Sequence, residues 1–185
     1  LSSLDFILED NDTIPPDKGI FLNNTRRLNK KICNYISSSF YDSRLTSDPI
    51  TKTRSVNLKL DPIKDEGLFY VPIDHTGCSQ RSDEEADLIE KTYNKIINKE
   101  FKVDKNSGKI SPKDIMVVAP YNAQANNIRE RLKKKFKDDV RVGTIDLFQG
   151  QEAKVVLISM TTSDVESLPR HKDFFFSRNR LNVAI

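Results

Sequence analysis

Five short apolar runs punctuate this chain, at residues 20–22, 68–73, 115–119, 140–145 and 155–160, each of the length of a strand in a covered sheet. Between them the apolar positions change to helical spacing. Leu28, Ile32, Ile36 and Phe40 form one stripe with Cys33 beside it. Ala86, Ile89, Tyr93 and Ile96 form a second, and Ala125, Ile128, Leu132 and Phe136 a third. Strands alternating with helices predict an α/β fold, a mostly parallel sheet covered by helices on both faces. Ser82 opens the second helix with capping-box spacing to Glu85, which assigns Glu84, Glu85 and Glu90 to a cap and a solvated face. Leu4, Ile7 and Leu8 begin a short helical stripe, and two prolines, Pro15 and Pro16, end it. Residues 47–65 are polar, with an edge strand at 56–60, and a turn is expected around Gly108. The link between the last two runs is too short for an ordinary parallel crossover. Those strands are therefore antiparallel, or joined by a tight helical turn to non-adjacent places in the sheet.

Composition narrows this only a little. At 185 residues with 37% hydrophobic content the chain is long enough for one domain with a sizeable core, so residues 1–185 are taken as one domain. It lacks an initiator methionine and begins within a helical pattern, as expected of a piece of a longer chain. A net charge of +3 permits a nucleic-acid partner without requiring one. Cys33 and Cys78 have no CxxC spacing and only two histidines accompany them, so neither a disulfide framework nor a zinc pattern is legible; reduced thiols and a cytoplasmic location are expected. No apolar run reaches the length of a membrane span, and no membrane partner is expected.

The candidate chemistry is concentrated in the polar loop between the last two strands, Phe148-Gln149-Gly150-Gln151-Glu152. Gly150 lets backbone approach a ligand, and Gln149, Gln151 and Glu152 offer donors and acceptors there. A loop held on two buried strands is a good place for a binding site, although an ordinary connecting turn has the same look. Two further features invite function and have plainer readings beside it. Arg26 and Arg27 follow the first strand, where they also suit the basic start of an exposed helix. Arg131, Lys133, Lys134, Lys135 and Lys137 suit a solvated helix face. Asp83, Glu90 and Lys91 could be grouped as nuclease-type metal ligands, but helical spacing already accounts for them.

From Val142 to Glu152 the chain resembles the motif V pattern V-x-T-[VI]-D-x-F-Q-G-x-E of superfamily 1 helicases, every fixed position being present. The branch it is most similar to contains the nonsense-mediated-decay RNA helicase and bacterial helicases fused to a RecB-like nuclease. Thr162, Ser163, Pro169, Arg170 and Phe174 continue the likeness. Ser177, Arg178, Asn179, Arg180, Leu181, Asn182, Val183 and Ala184 resemble the opening of motif VI. The stretch containing Thr25, Arg26, Arg27, Leu28 and Asn29 resembles motif IV, with Arg26 in place of the usual aromatic and Leu28-Asn29 in place of Met-His. Residues 117–124 resemble the segment that contacts single strands.

The resemblance implies a RecA-like (P-loop NTPase-type) fold, the second lobe of a superfamily 1B motor that runs 5′ to 3′ on single strands. It also implies roles. Arg27 would be the catalytic arginine finger on the γ-phosphate. Arg26, Gly150, Glu152 and Arg180 would serve the nucleotide, Glu152 at the ribose and Arg26 near the base. Pro120, Tyr121, Gln124, Thr144 and Gln149 would contact or couple to the strand. ATP and Mg²⁺ would be held mainly by lobe 1 of the same polypeptide, because no G-x-x-x-x-G-K-[ST] occurs among the six glycines of this chain. This chain alone is expected to be an inactive monomer, with DNA favoured over RNA. A non-catalytic nucleic-acid-binding module of RecA-like fold, or part of a nuclease-helicase, is the competing reading.

Overall fold

The computed structural model describes residues 3–9, 11–61, 63, 65–163 and 182. In chain order the elements are α1 (Ser3–Leu8), β1 (Asn24–Thr25), α2 (Lys30–Phe40), β2 (Thr46–Ser47), β3 (Ser55–Val56), α3 (Asp83–Ile96), β4 (Glu100–Val103), β5 (Asn106–Lys109), β6 (Ile115–Val118), α4 (Asn122–Phe136), β7 (Arg141–Gly143) and β8 (Val155–Ile158). The expected α/β architecture is present, with parallel sheet and helices on both of its sides.

β6 is the organising strand. It pairs in parallel with β7 on one edge, Val117 opposite Val142, and with β8 on the other, Val117 opposite Leu157. All four β6 residues are buried, as an unbroken apolar run in a parallel sheet requires. Its side chains divide between the faces with a period of two. Ile115 and Val117 join the core formed with Ala86, Ile89, Tyr93 and Ile96 of α3 and Ala125, Ile128 and Leu132 of α4. Met116 and Val118 pack with Ile145, Phe148, Val156 and Ile158 on the other face. That face and Ile32 and Ile36 of α2 line the same cleft, about 1760 Å³ in volume.

Helix ends follow the sequence closely. Asn29 caps α2 by accepting from the Ile32 amide, and Ser82 caps α3 by accepting from the Glu85 amide. Asp83 at the start of α3 accepts from Arg81, Asn127 and Arg131, which straps α3 to α4. These donors hold its carboxyl down to about 2, Arg81 contributing most.

Several expected strands need correcting. Residues 20–22 form no ladder: Ile20 and Leu22 point to solvent while Phe21 packs on Tyr41, and the pairing falls instead on β1 with β2. Residues 68–73 alternate between exposed and half-buried, as a strand would, yet run along the cleft with no strand partner among the described residues. An apolar pattern marks a segment that wants one covered face, but a ladder also needs a neighbouring backbone. The 56–60 strand shortens to β3, antiparallel to β4. The hairpin turn sits at Asp104, where φ is +55°, and not at Gly108, which lies within β5 opposite Phe101. Of the two arrangements left open for the last strands, the structure has the second. A 3₁₀ turn, Ile145–Phe148, leads from β7 across β6 to β8 on its far side.

Candidate nucleotide and strand interface

The 149–152 loop is built from below by Arg141 of β7. Its guanidinium donates to the carbonyls of Lys113 (2.9 Å) and Glu152 (3.2 Å) and to the Gln151 side-chain oxygen (2.9 Å). Gln151 in turn donates to the Leu147 carbonyl (3.1 Å). Gln151 is therefore committed to the loop's own structure and does not serve as one of its presented groups. Gly150 holds φ +79°, a conformation that favours glycine, and has open space on its Cβ side. Gln149 and Glu152 are left exposed at the rim of the cleft.

Facing them is the segment before α2. The Arg27 guanidinium lies 3.3 Å from the Glu152 carboxylate, with both side chains more than half exposed. Residues 125 positions apart in sequence thus meet, one from the motif IV-like stretch and one from the motif V-like loop. Arg26 reaches the other way and pairs with Asp48 at 3.2 Å. Asp48 also accepts from the Ile50 amide, and that bond is the chief cause holding its carboxyl below the usual range.

Arg54, which the sequence did not single out, fixes this segment in place. It meets Asp104 fork to fork, at 3.0 and 3.1 Å, and donates to the carbonyls of Arg26 (2.5 Å) and Arg27 (3.0 Å). The hydrogen bonds that Arg54 donates to Asp104 push its guanidinium pKa further up. The backbone of both arginines is thereby tied to the β4–β5 hairpin while their side chains project. Nothing local in the sequence pairs residues 54 and 104, which explains why it was not found.

Of the residues expected at the strand, Pro120, Tyr121 and Thr144 sit at the carboxyl ends of β6 and β7, Gln124 in the first turn of α4 and Gln149 at the cleft rim. Pro120 and Tyr121 follow β6 after Ala119, half-buried, and burial pushes the Tyr121 phenol up while a Thr162 hydrogen bond opposes it. Thr144 precedes the 3₁₀ turn and is half-buried. Gln124 departs from expectation. It is fully buried; its amide donates to the Ser82 carbonyl (3.0 Å) and Ser159 Oγ (3.1 Å) and accepts from the Ser82 amide (2.9 Å). Both donors are engaged inside the protein, so it supports the strand ends from behind and has no surface to offer. Beside it Glu85 is buried too, accepting from the Thr161 amide (2.8 Å) and Ser159 Oγ (2.5 Å), contrary to its expected place on a solvated face. Arg180 lies outside the described residues.

What the site can do follows from these placements. Arg27 offers exposed guanidinium donors suited to phosphate oxygens, and Glu152 an exposed carboxylate suited to ribose hydroxyls, so the rim fits one wall of a nucleotide. Among the described residues no helix is long and apolar enough to cross a membrane.

Comparison with known proteins bears on the same residues. A family profile described as "AAA domain" matches residues 3–185. The DNA polymerase alpha-associated DNA helicase A of Saccharomyces cerevisiae is 29% identical over 177 residues, covering 89% of this chain and 26% of that protein. Its counterpart by name in Schizosaccharomyces pombe is 33% identical over the same shares. The mouse RNA helicase Mov10l1 is 38% identical over 82 residues, 43% of this chain and 7% of its own length. The chain thus spans about a quarter of the two yeast proteins. Matched almost end to end by that profile, it belongs to the AAA-domain family, and it stands there among helicases, in agreement with the superfamily 1 resemblance of its sequence.

Proposed function

We propose that this chain is the second RecA-like lobe of an ATP-dependent superfamily 1B helicase, and that it closes on Mg-ATP held by lobe 1 of the same polypeptide. The observation that carries the reading is the meeting of Arg27 with Glu152 at the cleft rim, from two motif-like stretches far apart in sequence. Hydrolysis in such motors depends on positioning and on stabilising charge. Arg27 supplies positive charge to the developing γ-phosphate, and Glu152 leaves it to take the ribose as the lobes close. The Gly150 turn lets the loop follow the nucleotide, while Gln149 and Thr144 connect that movement to the ends of β6 and β7. There Tyr121 and the backbone amides near Pro120 meet the phosphates of a single strand. Gln124 holds those ends rigid from the interior. Arg26 serves the base side, stacking in place of an aromatic.

The strand is DNA in this reading, because the two yeast relatives, matched over 89% of the chain, are named DNA helicases, whereas the RNA helicase match covers 43%. The chain by itself is a monomer that does not turn over ATP, and the parent protein works in the cytoplasm. The test is ATP hydrolysis by the full-length protein with and without single strands. Hydrolysis stimulated by single-stranded DNA is expected, and more weakly by RNA. No hydrolysis with either polymer would overturn the motor reading in favour of a binding module.

A further inference from the structure

The loop between residues 74 and 78 carries half of the chain's histidines and cysteines and lies against the start of α3. A ring nitrogen of His75, Cys78 Sγ and a Glu84 carboxylate oxygen all lie within 4.8 Å of one another. The His75 side chain is only 9% exposed. Its Nε2 stands 3.3 Å from the buried Glu85 carboxylate, which is itself fixed by the Thr161 amide and Ser159 Oγ. The other ring nitrogen, Nδ1, is buried and has no hydrogen-bond partner among the described residues. A buried orphan of this kind is destabilising and calls for an occupant.

We infer that His75, Cys78 and Glu84 bind a divalent transition-metal ion of the zinc class. A histidine whose one nitrogen rests on a carboxylate while the other is vacant is the arrangement that orients an imidazole toward a metal. Thiolate, imidazole and carboxylate together select zinc-like ions over Mg²⁺ or Ca²⁺. Tetrahedral zinc sets its ligand atoms about 3.5 Å apart, so the trio must contract by about 1 Å. Side-chain rotation supplies this, since Glu84 is exposed and Cys78 half-exposed. Cys78 is anchored by its backbone: its amide donates to Ser163 Oγ (2.9 Å) and its carbonyl accepts from the Ser163 amide (3.0 Å). Binding releases the thiol proton to solvent and leaves the fourth position to water. The metal would pin the 74–78 loop and Ser163 to α3, next to the carboxyl end of β8. The sequence hid the site because two ligands lie on a loop and the third on a helix, outside any paired-cysteine spacing.

The test uses the full-length protein, purified without added metal, with metal content measured by mass spectrometry for wild type, Cys78→Ser and Glu84→Gln. Wild type should carry one more equivalent of zinc than Cys78→Ser, and Glu84→Gln should lose the metal to a chelator at least about tenfold faster. Cobalt-loaded wild type should show a thiolate charge-transfer band in the near ultraviolet that Cys78→Ser lacks. Glu84 is exposed, so its variant keeps the fold and secures the experiment should Cys78→Ser misfold. Equal zinc content across folded variants, or a cobalt spectrum indifferent to Cys78, would overturn the proposal and leave Nδ1 to a water molecule. The site does not depend on the motor reading, and a zinc-free active helicase would separate the two.

Discussion

Arg54 determines how firmly the two arginines before α2 are presented, because it holds both their carbonyls while gripping Asp104. Misplacing a catalytic group by 1 Å can cost about 10²-fold in rate, so Arg54→Ala in the parent should lower kcat by about that factor with little change in KM for ATP. Arg54→Lys should fail to rescue, since an ammonium cannot span a carboxylate fork and two carbonyls at once. Steady-state kinetics on the three proteins checks this, and full activity in Arg54→Lys would rule out the fork as the reason. A second residue makes a pH statement. Asp83 is lowered from 3.8 to about 2 by its three donors, so it contributes stability above pH 4 that is lost as pH falls from about 4 to about 2. Thermal melts across that window should show a shallower acid limb for Asp83→Asn than for wild type. Residues such as Ser82 and Tyr93 were legible because caps and helix stripes are local. Gln124 and Glu85 were not: a polar residue that is buried because its partners come from distant elements looks, in sequence, like one that is exposed.

At the scale of elements, the helices and the three strands of the parallel sheet follow the hydrophobic pattern, which reports the covered face directly. The strands at 20–22 and 68–73 find no ladder among the described residues, because pattern alone says nothing about whether another backbone lies alongside. The β7–β8 link shows the same limit, for its length excluded a simple crossover yet its path depended on where β6 lies. Packing here is tight enough to test. A Cβ on Gly143 would meet the Leu147 side chain at 2.5 Å and that of Phe148 at 3.3 Å. The Leu147 atom is the tip of an exposed side chain that can swing aside, so Gly143→Ala should cost no more than about 1 kcal/mol, set by the buried Phe148 ring. Ile128→Ala, in the fully buried face of α4, should cost about 2–5 kcal/mol. Urea denaturation of this chain measures both, and a Gly143→Ala loss well above about 1 kcal/mol would mean that Leu147 is held in place.

For the whole molecule, the cleft rim gathers Arg26, Arg27, Gln149, Gly150 and Glu152, while Pro120, Tyr121 and Thr144 lie at the strand ends. A single wall of a nucleotide site should not hold ATP on its own. Calorimetry on this chain is expected to find no micromolar ATP binding, and weak single-strand binding that falls steeply as salt rises. Salt-independent binding would point to a surface other than one that meets phosphates.

The proposed role of Arg27, supplying charge to the transition state, is tested most directly by comparing Arg27→Ala with Arg26→Ala in the full-length protein, by steady-state ATP hydrolysis and by nucleotide binding. Arg27→Ala should reduce turnover by roughly 10³ to 10⁵-fold with ATP affinity little changed, whereas Arg26→Ala should act mainly on affinity. A turnover defect carried by Arg26→Ala, with Arg27→Ala silent, would contradict the account and move the catalytic arginine by one position.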